Sequence, residues 1–253
     1  MKHRRTFFPR ALSLVALLTL FGSLDAFAQQ WRWPEQGENL KVLPETITSR
    51  ELQDTMVGFS LALGVRCTHC HDDRKGRRLS EIDFASDFKD AKETARLMLK
   101  MVRAINDEHL ADLGEDRLTV SCVTCHHGAE QPRMLEDILA ETMDHSGPEA
   151  MVEQYHALRR RYFGGFTYDF SERVLNNLGY AYLGSGKGEE ALALFRLNAE
   201  MYPESANVYD SLAEAYMTRG DRELAIAFYQ KALTLNPKNP NAVTKLAELR
   251  GGE

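Results

Sequence analysis

The spacing of apolar residues predicts helices along most of the chain. Thr48 with Glu51 three residues on is a capping-box pattern, and Leu52, Met56, Phe59 and Leu63 follow at helical spacing. That predicts a helix from near Thr48 to near Gly64. A second stripe, Ala91, Ala95, Met98, Val102 and Ile105, predicts another over 87–106. Residues 72–86 are polar and read as a loop, with Arg74, Lys75, Arg77 and Arg78 as a solvated basic cluster. Residues 134–161 read as two short helices separated by Ser146-Gly147-Pro148. Residues 29–47 hold Trp31, Trp33, Pro34 and Pro44 with little periodicity, and read as an extended arm.

The C-terminal third repeats itself. Leu175, Leu178, Tyr182, Ala191, Phe195 and Pro203 recur 34 residues later as Tyr209, Leu212, Tyr216, Ala225, Tyr229 and Pro237. This period and these residue types are the tetratricopeptide signature, a stack of helix pairs. Asn198 departs from the small residue that Ala232 supplies in the second repeat. Residues 241–250 are expected to cap the stack. The predicted class is all-α: a compact N-terminal unit over 48–133, a helical connector over 134–170, and repeat hairpins over 171–253.

The N-terminus reads as a targeting segment. Lys2, Arg4, Arg5 and Arg10 precede an apolar run from Ala11 to Leu24, too short to span a bilayer comfortably. Ala26-Phe27-Ala28 fits a small-x-small cleavage pattern, so residues 1–28 are expected to be removed on export to the periplasm. An uncleaved membrane anchor is the alternative. The formal net charge of −6 becomes about −9 after cleavage, which argues against a nucleic-acid binder. Outside the cytoplasm, free cysteine pairs tend to oxidise.

All four cysteines lie in two motifs of one kind, Cys67-Thr68-His69-Cys70-His71 and Cys122-Val123-Thr124-Cys125-His126. CxxCH is the c-type haem attachment pattern. Two thiols three residues apart lie on one helical turn and reach two vinyl groups on one porphyrin edge. The adjacent histidine then supplies the proximal nitrogen to iron. Two covalently bound haem c groups are therefore expected, with Cys67, Cys70, Cys122 and Cys125 as thioethers and His71 and His126 as proximal ligands. A zinc site, a thioredoxin-like motif and two plain disulfides compete less well. The pattern occurs twice, consumes every cysteine and follows an export signal. Met56 and Met98 lie on the helices before the two motifs and are the candidate distal ligands. Met101 rivals Met98, and His109 is the histidine alternative. His127, which follows a proximal ligand, is expected at the surface or beside the site. His69, His145 and His156 are expected to be exposed.

Residues 50–130 resemble half of the cytochrome c subunit of photosynthetic reaction centres. The stretches that carry this are FSLALGVRC at 59–67, FASD at 84–87, ARLMLKMVRAIN at 95–106 and TVSCVTCHHG at 119–128. In that family a methionine from the preceding helix ligates most haems. The resemblance thus implies Met56 with His71 and Met98 with His126, and it favours Met98 over Met101. The family member holds four haems, whereas this chain has two motifs, and repeat helices stand where its second half would be. The expected function is a periplasmic dihaem electron carrier that meets redox proteins at its haem edges. The repeats would dock a protein partner, and membrane association would come only through a partner or an uncleaved signal. A dihaem peroxidase or a haem-based sensor, each with one open iron site, is the alternative.

Overall fold

The computed structural model describes residues 31–114 and 116–251. The expected signal segment, residues 1–28, lies outside the described residues. Nine α-helices are seen among them: α1 (Ser49–Leu63), α2 (Asp90–Ala104), α3 (Cys122–His126), α4 (Leu135–Tyr162), α5 (Glu172–Gly184), α6 (Gly188–Met201), α7 (Ala206–Arg219), α8 (Arg222–Leu235) and α9 (Pro240–Gly251). None of the described helices is long and apolar enough to cross a membrane.

Local sequence sets the ends of these helices. Thr48 caps α1 through the reciprocal box with Glu51, whose carboxylate takes the Thr48 N–H at 2.9 Å. Gly64 stops α1 in the left-handed region at φ 65°. The second helix runs on from Ala104 into a π-helical turn, Ile105–His109. Gly147 (φ 87°, ψ 178°) and Pro148 break α4 into the two helices that their sequence predicts. The starts of α5, α7 and α9 fall at 172, 206 and 240, the 34-residue period of the sequence.

The main apolar core lies in the C-terminal half. Leu139, Met151, Leu175, Leu192, Phe195 and Tyr229 are fully buried in one cluster spanning α4 to α9. The helix α4 covers the first repeat. Tyr182 donates to the Ala140 carbonyl (3.2 Å) and to Asp144 (3.1 Å), and Lys187 also holds Asp144 (2.8 Å). Asn198, the departure from the repeat pattern, is fully buried and donates to the Glu172 carbonyl at 2.9 Å. It thereby ties α6 to the start of α5.

The N-terminal unit is built differently. Its buried apolar residues are few: Leu52, Ala62, Ile82 and Ala129. Many of its other apolar side chains line a cavity.

Candidate functional site

The cavity has a volume of about 1100 Å3 and is bounded by the arm, α1, α2 and both CxxCH motifs. It exceeds the roughly 300–1000 Å3 of ordinary small-molecule sites. Cys67, Cys70 and His71 line it, and so do Cys122, Cys125 and His126. The two motifs therefore face one continuous space.

Each imidazole is held by its far nitrogen. His71 Nδ1–H donates to the Phe84 carbonyl at 3.1 Å, and His126 Nδ1–H donates to the Ala129 carbonyl at 3.0 Å. This leaves each Nε2 as a free lone pair, the tautomer a metal needs. Burial, helped by Lys92, pushes the His71 imidazole below its usual range and favours the neutral ring. Burial pushes the Cys70 and Cys122 thiols up. All four cysteines are free thiols.

Met56, Met98 and Met101 all line the cavity, Met56 from α1 and the other two from α2. Met98 and Met101 are similarly accessible, 38% and 45% exposed, so the structure places both rivals at the site. His109 sits exposed on the π turn, outside the cavity lining. His127 is exposed, with Nε2 against the Thr124 carbonyl at 2.7 Å. Two expectations are corrected. His69 is half-buried in the cavity wall and lies 3.7 Å from Glu130, because the 3-10 turn Cys67–His69 rolls it inward. His156 is half-buried against Glu200 at 3.7 Å, because α4 packs on the repeats.

The arm is part of the site, which its sequence did not reveal. Trp31 packs edge-on to Trp33 (4.8 Å between ring centres) and against Phe84 (5.6 Å), and Phe84 in turn meets the His71 ring (4.9 Å). Asp87 straps the arm to α2: Lys41 (2.6 Å) and Asn39 (2.9 Å) reach it from the arm, and Arg96 (2.8 Å) and Lys92 (3.3 Å) from α2. These donors, Arg96 first, hold the Asp87 carboxyl far below the usual carboxylate range. Arg96 is itself buried and also donates to the Asn39 carbonyl at 3.2 Å. A charge network that joins Asn39 and Lys41 of the arm to Lys92 and Arg96 of α2 through Asp87 has no periodic signal to announce it. The basic loop is neutralised locally. Arg74 holds Asp72 at 2.7 Å, Arg77 lies 3.7 Å from Asp73, and Lys75 lies 3.8 Å from Asp83.

The two motifs are joined by backbone. Gly128 N–H donates to the Ala62 carbonyl at 2.9 Å, and a Cβ on Gly64 would overlap the Gly128 carbonyl oxygen. The residues that end α1 and lead into the first motif thus touch those that leave the second. The site fits a large flat apolar group held through sulfur and nitrogen. Thiols, metal-ready imidazoles and thioethers face one cavity whose walls are largely apolar.

Residues 77–178 match the model of the photosynthetic reaction centre cytochrome c subunit family, and residues 206–249 match that of the tetratricopeptide repeat. The cytochrome match contains Met98 and the second motif and continues through α4 into α5, while the first motif precedes it. No curated protein matches the chain. Among solved structures, the first tetratricopeptide domain of Spaghetti (RPAP3), bound to an HSP90 peptide, is 16% identical with a TM-score of 0.33, over 46% of this chain and 88% of that one. The second such domain of human RPAP3, with an HSP70 peptide, is 20% identical at a TM-score of 0.33, over 46% and 92%. The Sgt2 domain from Aspergillus fumigatus is 17% identical at 0.32, over 46% and 75%. The chain is thus similar over 77–178 to the photosynthetic reaction centre cytochrome c subunit family and carries a tetratricopeptide repeat over 206–249, the fusion that its residue patterns imply.

Proposed function

We propose that the protein is a periplasmic c-type cytochrome with two haems, passing electrons between redox partners, and that its repeat helices dock a protein partner. The family match implies covalent haem c and a cytochrome-type carrier with an interaction region. The observation that carries the count of two is the pair of CxxCH motifs, each with its histidine Nδ1 held by a carbonyl, facing one cavity. Haem c, when bound, supplies a one-electron Fe(III)/Fe(II) couple.

The chain's own residues do the rest. Cys67 and Cys70 hold one group as thioethers, and Cys122 and Cys125 the other. His71 and His126 supply the proximal nitrogens. The Phe84 and Ala129 carbonyls fix the ring orientations and raise ligand basicity. Met56 would supply a thioether to the group that His71 holds, and Met98 to the one that His126 holds; thioether ligation would favour Fe(II) and raise the potential. The apolar lining and the Trp31–Phe84 contact keep water from the His71 side. The export signal at 1–28 supports a periplasmic location.

The test is spectroscopic. Expressed with its signal in a cytochrome c-maturing host, the protein should carry two haems per chain by the pyridine haemochrome assay. Both should be low-spin, with a Met-to-iron charge-transfer band. Met98→Leu should open one iron to carbon monoxide, and Met101→Leu should not. One haem per chain would refute the count. A high-spin haem as isolated would refute the carrier in favour of an enzyme or sensor.

A further inference from the structure

The two CxxCH histidines are held alike, yet the carbonyls that hold them differ. His71 Nδ1–H donates to the Phe84 carbonyl at 3.1 Å, and His126 Nδ1–H to the Ala129 carbonyl at 3.0 Å. The Phe84 carbonyl has a second donor. Lys92, in the first turn of α2, places its Nζ 3.0 Å away. The same nitrogen donates to the Ala85 carbonyl at 3.0 Å and the Ser86 carbonyl at 2.9 Å, and it sits 3.3 Å from Asp87. Among the described residues, no side chain other than His126 donates to the Ala129 carbonyl.

Lys92 carries its charge in this setting. Three carbonyls and one carboxylate surround the nitrogen, all of them acceptors. An ammonium, with three N–H groups and no lone pair, suits them; a neutral amine would turn its lone pair on one of them. Burial pushes the group down from its usual range, and Asp87 opposes that. The Lys92 side chain is only 12% exposed, so solvent screens its charge little. Asp87 does not cancel that charge, because Lys41 (2.6 Å) and Arg96 (2.8 Å) share the same carboxylate. Of the charges that act on the His71 ring, Lys92 is the strongest.

Both effects work in one sense. A carbonyl that already accepts from an ammonium pulls less on the His71 proton, so this imidazole is a less basic ligand than one with a carbonyl to itself. A less basic ligand stabilises Fe(III) less. A cation beside the ring also disfavours the more positive iron. Hydrogen bonding behind an axial ligand is one of the levers by which a protein sets haem potential.

We infer that Lys92 is a positioning residue that raises the reduction potential of the haem held by His71, through its hold on the Phe84 carbonyl and its charge. This rests on the reading of the chain as a two-haem cytochrome.

The test is a spectroelectrochemical titration of the haem-loaded full chain, with haem content measured first. Lys92→Met should lower one of the two steps by about tenfold in the ratio of reduced to oxidised haem, ~59 mV for a one-electron couple, and leave the other in place. Met98→Leu marks the step of the second haem, and Lys92→Met should move the step that Met98→Leu leaves. Lys92→Gln keeps an N–H for the carbonyls without the charge. It should move the same step by less, and it carries the test if Lys92→Met loads haem poorly. Lys92→Arg keeps charge and donors and should stay close to the parent. Lys89→Met is the control for charge alone. The Lys89 ammonium holds Asp73 at 2.7 Å and the Thr68 carbonyl of the first motif, and leaves the Phe84 carbonyl untouched. Its removal should give a clearly smaller fall. A raised or unmoved potential, a shift of both steps, a shift of the step marked by Met98→Leu, or an equal fall in Lys89→Met would overturn the inference. A parent chain without two haems would sink the two-haem reading and this inference with it. Two haems with an unmoved potential would sink this inference alone.

Discussion

Gly64 offers the sharpest test of how the two motifs are coupled. Alanine there meets two separate obstacles. The backbone is left-handed (φ 65°), which costs an L-residue roughly 1–2 kcal/mol. The new Cβ would also sit 3.0 Å from the Gly128 carbonyl carbon and overlap its oxygen, and backbone cannot swing aside as a side chain tip can. Moving that segment endangers the Gly128–Ala62 hydrogen bond, worth about 0.5–1.5 kcal/mol. The smaller unfolded-state entropy of alanine returns only about 0.4–1 kcal/mol. The obstacles win, and Gly64→Ala should destabilise the protein by about 2 kcal/mol. Urea unfolding followed by far-UV circular dichroism measures this. Two controls separate the causes. Gly220→Ala has a similar strain (φ 93°) but nothing within 4 Å of the added carbon, so it should show the strain alone. Gly58→Ala, on open α1 surface, should stabilise by about 0.5–1 kcal/mol. The displacement should also reach the Ala129 carbonyl that holds His126, shifting the spectrum of the second haem more than the first. A Gly64→Ala protein no less stable than Gly220→Ala, with an unchanged spectrum, would refute the coupling.

Other outcomes follow from the same structure. Gly179→Ala gains helix propensity of about 1 kcal/mol but drives a Cβ to 2.6 Å from the fully buried Phe195 ring, and overpacking of about 1–3 kcal/mol should prevail as a lower urea midpoint. Thr48→Ala removes the side-chain half of the α1 cap, leaving the backbone N–H of residue 48 on Glu51, and should cost about 0.5–2 kcal/mol in the same assay, with Thr48→Ser close to the parent. Asp144 is held below its usual pKa, first by Lys187 and then by Tyr182. Its contribution is therefore present above the unfolded value of 3.8 and lost as pH falls through the lower folded value. Asp144→Asn should flatten the acid limb of Tm against pH, and an unchanged limb would show that this bond adds nothing.

Much of the fold is legible because it is written in short-range rules. The Thr48 box, the Gly64 stop, the Gly147-Pro148 break and the 34-residue period each depend on residues a few positions apart or on strict recurrence. The CxxCH motifs are legible for the same reason, since covalent attachment demands fixed spacing. The inward turn of His69 was not legible, because a three-residue 3-10 turn leaves no periodic trace. Nor was the half-burial of His156, which depends on how α4 lies against the repeats.

The sequence alone thus determines the helices, the repeat and the chemistry of two haem-type motifs. Tertiary structure alone decides that both motifs share one cavity, that an irregular arm walls it through Asp87, and that two backbone segments meet at Gly64 and Gly128. The physical reason is range. Helix capping, amphipathic spacing and thiol spacing act within a few residues along the chain. The Asn39–Asp87, Arg96–Asn39 and Gly128–Ala62 contacts join residues 48 to 66 positions apart and carry no period. Such contacts exist only once packing has brought the segments together, and they are what give the cavity its walls.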